Sequence, residues 1–171
     1  MPEGDTIHRT AETLRAALAG RTVTAFEAAS SAVERRARRA AVVGQAIAGV
    51  EARGKHLLLR FEGGATLHTH MGMRGSWHLY GAGERWRRPA AQAWIVLAGD
   101  GSEAVNFGGS VMRIATKGQL RRDPRLARLG PDLLATDFDA AAAARALRGA
   151  GPRVEIGEAD PLTVPAGIVD V

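Results

Sequence analysis

Apolar residues Ile7, Ala11, Leu14 and Leu18 recur at the i, i+4, i+7, i+11 spacing of one buried stripe, which predicts an amphipathic helix over Glu3 to Leu18. Gly20 suits a left-handed cap behind it, Asp5 and Thr6 suit its first turn, and Arg9 and Arg15 lie off the stripe. From Thr22 onward the period shortens to two, with Gly-rich or Asp-Gly punctuation between short runs. This pattern predicts strands at Thr22 to Phe26, Ile47 to Arg53, His56 to Phe61, Ala65 to His70, Ser76 to Tyr80, Trp94 to Leu97, Glu103 to Asn106 and Val111 to Ile114. Glu62-Gly63-Gly64 and Gly99-Asp100-Gly101 read as hairpin turns. Short strands at such close spacing argue for an antiparallel sandwich or flattened barrel and against βαβ units. Ala32 to Ala41, with Arg35, Arg36, Arg38 and Arg39, reads as an exposed basic segment beside the sheet, equally able to track phosphates.

Beyond the strands, Gln119 to Leu129 carries Arg121, Arg122, Arg125 and Arg128, and Gly130-Pro131 breaks it. Asp137 to Arg148 is Ala-rich with an Asp N-cap and Gly149 behind it, the pattern of a helix. From Gly151 the periodicity decays into Pro, Gly and acidic residues, and no internal repeat is visible. The expected class is mainly β with flanking helices. A two-sheet antiparallel β-sandwich packed with an N-terminal helix occupies residues 1–136, and the start of a helical second domain occupies 137–171.

Composition narrows the chemistry. The 171 residues are 46% apolar, enough for a sizeable core, and no run reaches the roughly 18 uninterrupted apolar residues of a membrane span. The N-terminus lacks the basic-then-apolar order of a signal peptide, so a cytoplasmic protein with no membrane partner is expected. A monomer is the working expectation, which nothing in the sequence fixes. Without cysteine there is no disulfide, thiolate zinc site or redox couple. Residues 1–136 hold 20 Lys and Arg against 12 Asp and Glu, a net of +8, whereas residues 137–171 are net −3. Arg outnumbers Lys 21 to 2. Guanidinium forks match phosphate oxygens, which points to a polyanion, although an Arg-rich codon bias gives the same composition.

The candidate chemistry sits at the beginning of the chain. Once Met1 is removed, Pro2 is a free secondary amine with the Glu3 carboxyl beside it. An α-amino group titrates near ~8, about two units below lysine, so a useful fraction is nucleophilic at neutral pH. Its attack on a sugar aldehyde carbon gives an iminium ion, an electron sink that deprotonation at nitrogen cannot discharge. The plainer reading is that Pro2 directs Met removal and pre-sets φ, with Glu3 complementing the helix dipole. Because the predicted helix starts at the same point, its unpaired N–H groups would welcome an anion there.

Met1-Pro-Glu-Gly-Asp-Thr-Ile-His-Arg9 resembles the N-terminus of the formamidopyrimidine-DNA glycosylase/endonuclease VIII family, and is closer to endonuclease VIII. Arg53-Gly-Lys-His-Leu-Leu-Leu-Arg60 resembles the family's hairpin lysine motif. Leu67-His-Thr-His-Met-Gly-Met-Arg-Gly-Ser-Trp77 resembles its His-x-Gly-Met-x-Gly-Ser loop, and Leu129-Gly-Pro-Asp-Leu133 its interdomain linker. The resemblance implies a bifunctional enzyme that removes an oxidised base from double-stranded DNA and cleaves the strand by β- or β,δ-elimination. It implies that Pro2 attacks C1′, that Glu3 is the general acid, and that Lys55 is a second acid and phosphate contact. Met73 would fill the gap left by a flipped nucleotide, and His70 would contact the DNA backbone. Arg74, on the same Gly-flanked loop, is a candidate from its charge alone. A solvated strand-end lysine and a core-filling Met73 are the plainer readings of those two residues.

The sequence departs from the family pattern in three places. Where one branch has Asp-Pro-Arg-Arg-Phe-Gly, this chain reads Val105-Asn-Phe-Gly-Gly-Ser-Val111, and Phe107 is a poor substitute for the Arg-Phe pair that completes the wedge. Only the start of a helix-two-turns-helix domain is recognisable, and Val169-Asp170 stands where the family has Gly-Asn. The C-terminal zinc finger is absent, so no cofactor is expected in this chain. A truncated family member is therefore expected, with a non-catalytic DNA-binding remnant as the alternative. A metal-dependent hydrolase built on His68 and His70, which alternate onto one strand face, is a third reading that lacks a third ligand.

Overall fold

The computed structural model describes residues 3–129, with Ala141, Ala144 and Arg145. The chain divides into two compact units, Met1–Asp132 and Leu133–Val171. The helix expected over Asp137 to Arg148 lies almost wholly outside the described residues, and the rest of the incomplete second domain lies outside them altogether.

The predicted N-terminal stripe is the buried face of α1 (Glu3–Leu18), and Gly20 behind it takes the left-handed φ of 76°. Eight strands follow: β1 (Ala25–Ala28), β2 (Ile47–Arg53), β3 (His56–Phe61), β4 (Ala65–His70), β5 (Ser76–Gly81), β6 (Ile95–Gly99), β7 (Ser102–Phe107) and β8 (Val111–Thr116). They form two four-stranded antiparallel sheets, in the orders β1-β6-β7-β5 and β2-β3-β4-β8. The structure is thus the sandwich of the two alternatives.

Turn chemistry sets the registers. Asp100 and Gly101 both have positive φ, 42° and 84°, the primed geometry that joins Gly99 to its partner Ser102 in a two-residue hairpin. The three-residue connection centred on Gly63 pairs Arg60 with Thr66 and, at the far end, His56 with His70. Alternation then sends Leu57, Leu59, Phe61, Leu67, Ile95, Leu97 and Ala104 into one core between the sheets. Each fully buried leucine or isoleucine there contributes roughly 1.5–3 kcal/mol.

Two expectations shift. The first strand begins at Ala25, because Thr22 only bridges Ala46 and the Val23 N–H donates to the Gln45 carbonyl. From Thr24, whose N–H donates to Ala98, the chain crosses to the other sheet. The 32–41 segment is a helix, α2 (Ser31–Arg39), with Val33 and Ala37 buried at i, i+4. Its arginines are exposed, as expected, and Arg38 pairs with Glu34 at 2.6 Å. α1 packs along β2 and lines a groove with Trp77 and Leu79 of β5, whereas α2 packs on β1 and β8, so each helix closes one open side of the sandwich.

The outward faces are covered too. Trp86 and Ala93 pack over Tyr80, Val105 and Phe107 of the first sheet. On the second sheet, α3 (Lys117–Arg121), started by a Thr116/Gln119 capping box, packs against β8. α4 (Pro124–Ala127) follows, with Asp123 as its N-cap, Pro124 in its first turn and Leu126 buried.

Candidate active site

The β2–β3 turn is the tightest the chain allows. Arg53 pairs with His56, leaving Gly54-Lys55 as a two-residue turn with glycine at φ 55° in the first central position. A Cβ on Gly54 would stand 3.0 Å from a methyl of Leu129, so the turn is also held from the segment behind α4. Lys55 is exposed at its tip, next to the exposed Arg53.

His70 ends β4 opposite His56, and its ring meets the His56 ring edge-on at 4.5 Å between centroids. The Gly72 N–H donates to His70 Nδ1 at 3.1 Å, and Ser110 Oγ lies 2.8 Å from the same atom. An Nδ1 that accepts places the proton of the neutral ring on Nε2, a donor suited to a phosphate oxygen. Residues 71–75 then form a closed loop in which the Gly75 N–H donates to the Met71 carbonyl at 2.8 Å. A Cβ on Gly75 would lie 2.2 Å from that carbonyl oxygen, so the loop requires glycine there. Met71 turns into the core, whereas Met73 is 93% exposed and Arg74 is exposed beside it. Core filling is therefore the role of Met71 and not of Met73.

α1 runs antiparallel to β2: the Gly20 N–H donates to the Ile47 carbonyl, and Arg15 Nε to the Val50 carbonyl at 2.8 Å. From Arg15 back to Glu3 the helix spans roughly 18 Å, whereas Val50 to Arg53 spans roughly 10 Å of strand. The start of α1 therefore runs towards the end of the sandwich that carries the Lys55 turn. Thr6, Arg9 and Thr10 line a groove with Trp77, two residues after the Met73 loop. The structure thus brings the beginning of α1, Lys55, His70, Met73 and Arg74 to one end of the sandwich. Pro2 and the Glu3 side chain lie outside the described residues.

His68 is fully buried, and both its ring nitrogens are engaged: Nδ1 accepts from Arg113 Nε at 3.0 Å, and Nε2 lies 2.8 Å from His56 Nδ1. With both nitrogens so engaged, His68 offers no lone pair to a metal in this arrangement. Among the described residues, no cluster of three or more His, Asp or Glu side chains is placed to hold a metal. Arg113 also pairs with Asp123. Burial lowers His68 from 6.5 to about 4, helped by the charge of Arg113, and burial lowers His56 to about 4. Burial alone would raise the Asp123 carboxyl, but the Arg125 N–H and then Arg113 outweigh it and hold it below its usual range.

Phe107 is buried on the outer face of β7, under Trp86 and under the Arg88 guanidinium 5.4 Å from its ring centroid. It packs there and is no part of an exposed wedge. Arg88 Nη1 also donates to Ser76 Oγ at 3.2 Å, at the foot of the Met73 loop. Sequence reasoning missed Arg88, and it missed the buried His56–His68–Arg113–Asp123 chain. The turn centred on Gly63 was enough to place His56 opposite His70. Arg113 opposite His68 needed the β4–β8 pairing, which skips three strands and left no signal in sequence.

The match to the model of the formamidopyrimidine-DNA glycosylase N-terminal domain covers residues 1–124. The chain is 40% identical over 163 residues to a probable endonuclease 8 2 of Streptomyces coelicolor, covering 93% of this chain and 55% of that protein. It is 36% identical over 150 residues to a DNA-(apurinic or apyrimidinic site) lyase of Mycolicibacterium smegmatis, covering 84% of this chain and 53% of that one. The chain thus spans about half the length of the curated relatives it matches. The fold superposes on a Lactococcus lactis formamidopyrimidine-DNA glycosylase, solved non-covalently bound to DNA containing an apurinic/apyrimidinic (AP) site, with a TM-score of 0.63 at 19% identity; the match covers 87% of this chain and 57% of that one. By its sequence, and in keeping with its sandwich fold, this chain belongs to the formamidopyrimidine-DNA glycosylase/endonuclease VIII family.

Proposed function

We propose that the chain carries the catalytic half of a base-excision enzyme, a DNA glycosylase with AP lyase activity acting on oxidised bases in duplex DNA. The observation that carries this reading is the gathering of the start of α1, the Lys55 turn, and the His70 and Met73 loop at one end of a basic sandwich. In the proposed reaction the Pro2 nitrogen forms a bond to C1′ as the C1′–base bond breaks, and Glu3 supplies the proton for ring opening. The resulting iminium acidifies C2′–H. Loss of that proton expels the 3′ phosphate and breaks the strand, and a second elimination at the other phosphate gives the β,δ outcome. Lys55, His70 and Arg74 hold phosphates near the cleaved position, and Met73 fills the vacated stack. The names of the two relatives, an endonuclease 8 2 and an AP-site lyase, support the same class of activity.

The test is borohydride reduction in the presence of a duplex with one abasic site. The parent is expected to form a covalent adduct, and Pro2→Gly to lose most of it. Salt-sensitive DNA binding without any adduct at low salt would instead establish the non-catalytic reading.

A further inference from the structure

One face of the second sheet carries a polar chain that the proposed chemistry does not use. Strand register places His56 opposite His70, and His68 opposite both Leu58 and Arg113, so His56, His68 and Arg113 share the face beneath α3 and α4. Asp123, the N-cap of α4, accepts from the Arg125 N–H at 2.7 Å and pairs with Arg113 Nη2. Arg113 Nε then donates to His68 Nδ1 at 3.0 Å. Since an arginine only donates, His68 Nδ1 must be unprotonated, and the neutral ring carries its proton on Nε2. That proton points at His56 Nδ1, 2.8 Å away, which must accept, so His56 in turn is protonated on Nε2. Every bond has one possible direction, from Arg113 outward, and no buried side-chain nitrogen or oxygen among the described residues lacks a partner.

The chain ends where function is expected. His56 directly follows Lys55 and touches the His70 ring edge-on. Its other end is tied to α4, and Leu129 behind α4 packs on Gly54 of the same turn. A polar clamp and an apolar clamp thus hold the Lys55 turn from one segment, residues 123–129. A buried polar chain is a poor source of stability compared with an apolar core, but it fixes one geometry.

We propose that Asp123, Arg113, His68 and His56 form a tautomer-locked positioning relay that sets the Lys55 turn and the His70 ring for the phosphates of the substrate. The proposal rests on the glycosylase/lyase reading for the substrate, and on the side-chain geometry alone for the relay. His68 and Arg113 are positioning residues, since they act through His56.

Two readouts on the 171-residue chain test it. Long-range proton–nitrogen NMR at pH 7 is expected to show His56 and His68 as neutral Nε2–H tautomers. Arg113→Met and His68→Phe are expected to release His56 into a tautomer mixture, and His68→Gln, whose amide accepts and donates, to keep it locked. With an abasic-site duplex at saturating enzyme, His68→Phe and Arg113→Met are expected to slow strand cleavage about 10-fold or more, and His68→Gln to stay within about 3-fold of the parent. Equal rates for the Phe and Gln variants, or imidazolium or Nδ1–H signals from His56 or His68 in the parent, would overturn the relay. A parent that neither traps nor cleaves would sink the glycosylase/lyase reading instead. The relay would then stand or fall on whether His56 keeps its tautomer in His68→Gln and loses it in His68→Phe.

Discussion

Lowering the pH from 7.5 to 5 perturbs the buried imidazoles before any carboxylate of ordinary pKa. In the folded chain His56 and His68 titrate near about 4, against 6.5 for a free side chain. Between those values the unfolded chain binds protons that the native state refuses, so stability is full above about pH 6.5 and falls as the pH drops towards 4. Each unit of displacement is worth about 1.4 kcal/mol, so at pH 5 each ring costs about 2 kcal/mol and the pair about 4 kcal/mol. His78, also lowered by burial and then by Arg88 and Arg87, shifts stability in the same direction. The lowered Asp123 adds a further loss below its ordinary value of 3.8. Urea unfolding at pH 7.5, 6.5, 5.5 and 5.0 reads this directly. With a slope of about 2 kcal/mol per molar, the midpoint should fall by roughly 2 M across the series. His68→Gln, which cannot titrate, should lose about half of that pH dependence. A midpoint unchanged or rising between pH 7.5 and 5 would refute the buried neutral pair.

Other outcomes follow from the same geometry. Lys55→Ala, at an exposed turn tip, should leave thermal stability within about 0.5 kcal/mol and slow strand cleavage about 10²-fold, read in single-turnover assays. Gly75→Ala forces a Cβ to 2.2 Å from the Met71 carbonyl oxygen, so calorimetry should find a loss of about 1–3 kcal/mol, with a matching loss of abasic-site binding. Met73→Ala removes a side chain that is 93% exposed, so the melting temperature should hold while affinity for an abasic-site duplex, measured by fluorescence anisotropy, weakens several-fold.

Much of the fold was legible because local signals agreed. The stripe from Ile7 to Leu18 left only one helix face to bury, and the glycine turns at 62–64 and 99–101 fixed hairpin registers without tertiary information. α2 was missed because only Val33 and Ala37 face inward, and four arginines over nine residues hid that short apolar pair. The start of the first strand was misplaced because the chain changes sheets at Val23–Thr24, a decision made by Gln45 and Ala98 far along the sequence. At the site, the Lys55 turn and the glycines around Met73 could be read from residue type. The buried relay could not, since a histidine in an alternating strand gives no sign of what covers its face. Asp123 covers it only because β8 returns beside β4.

The central claim is that the amine of Pro2 forms the covalent bond to the lesion's sugar. Peptide mapping by mass spectrometry of the borohydride-trapped complex tests it most directly. The account predicts an adduct mass on the N-terminal peptide, at Pro2, in chains that have lost Met1. An adduct on Lys55, or full trapping by chains that retain Met1, would contradict it.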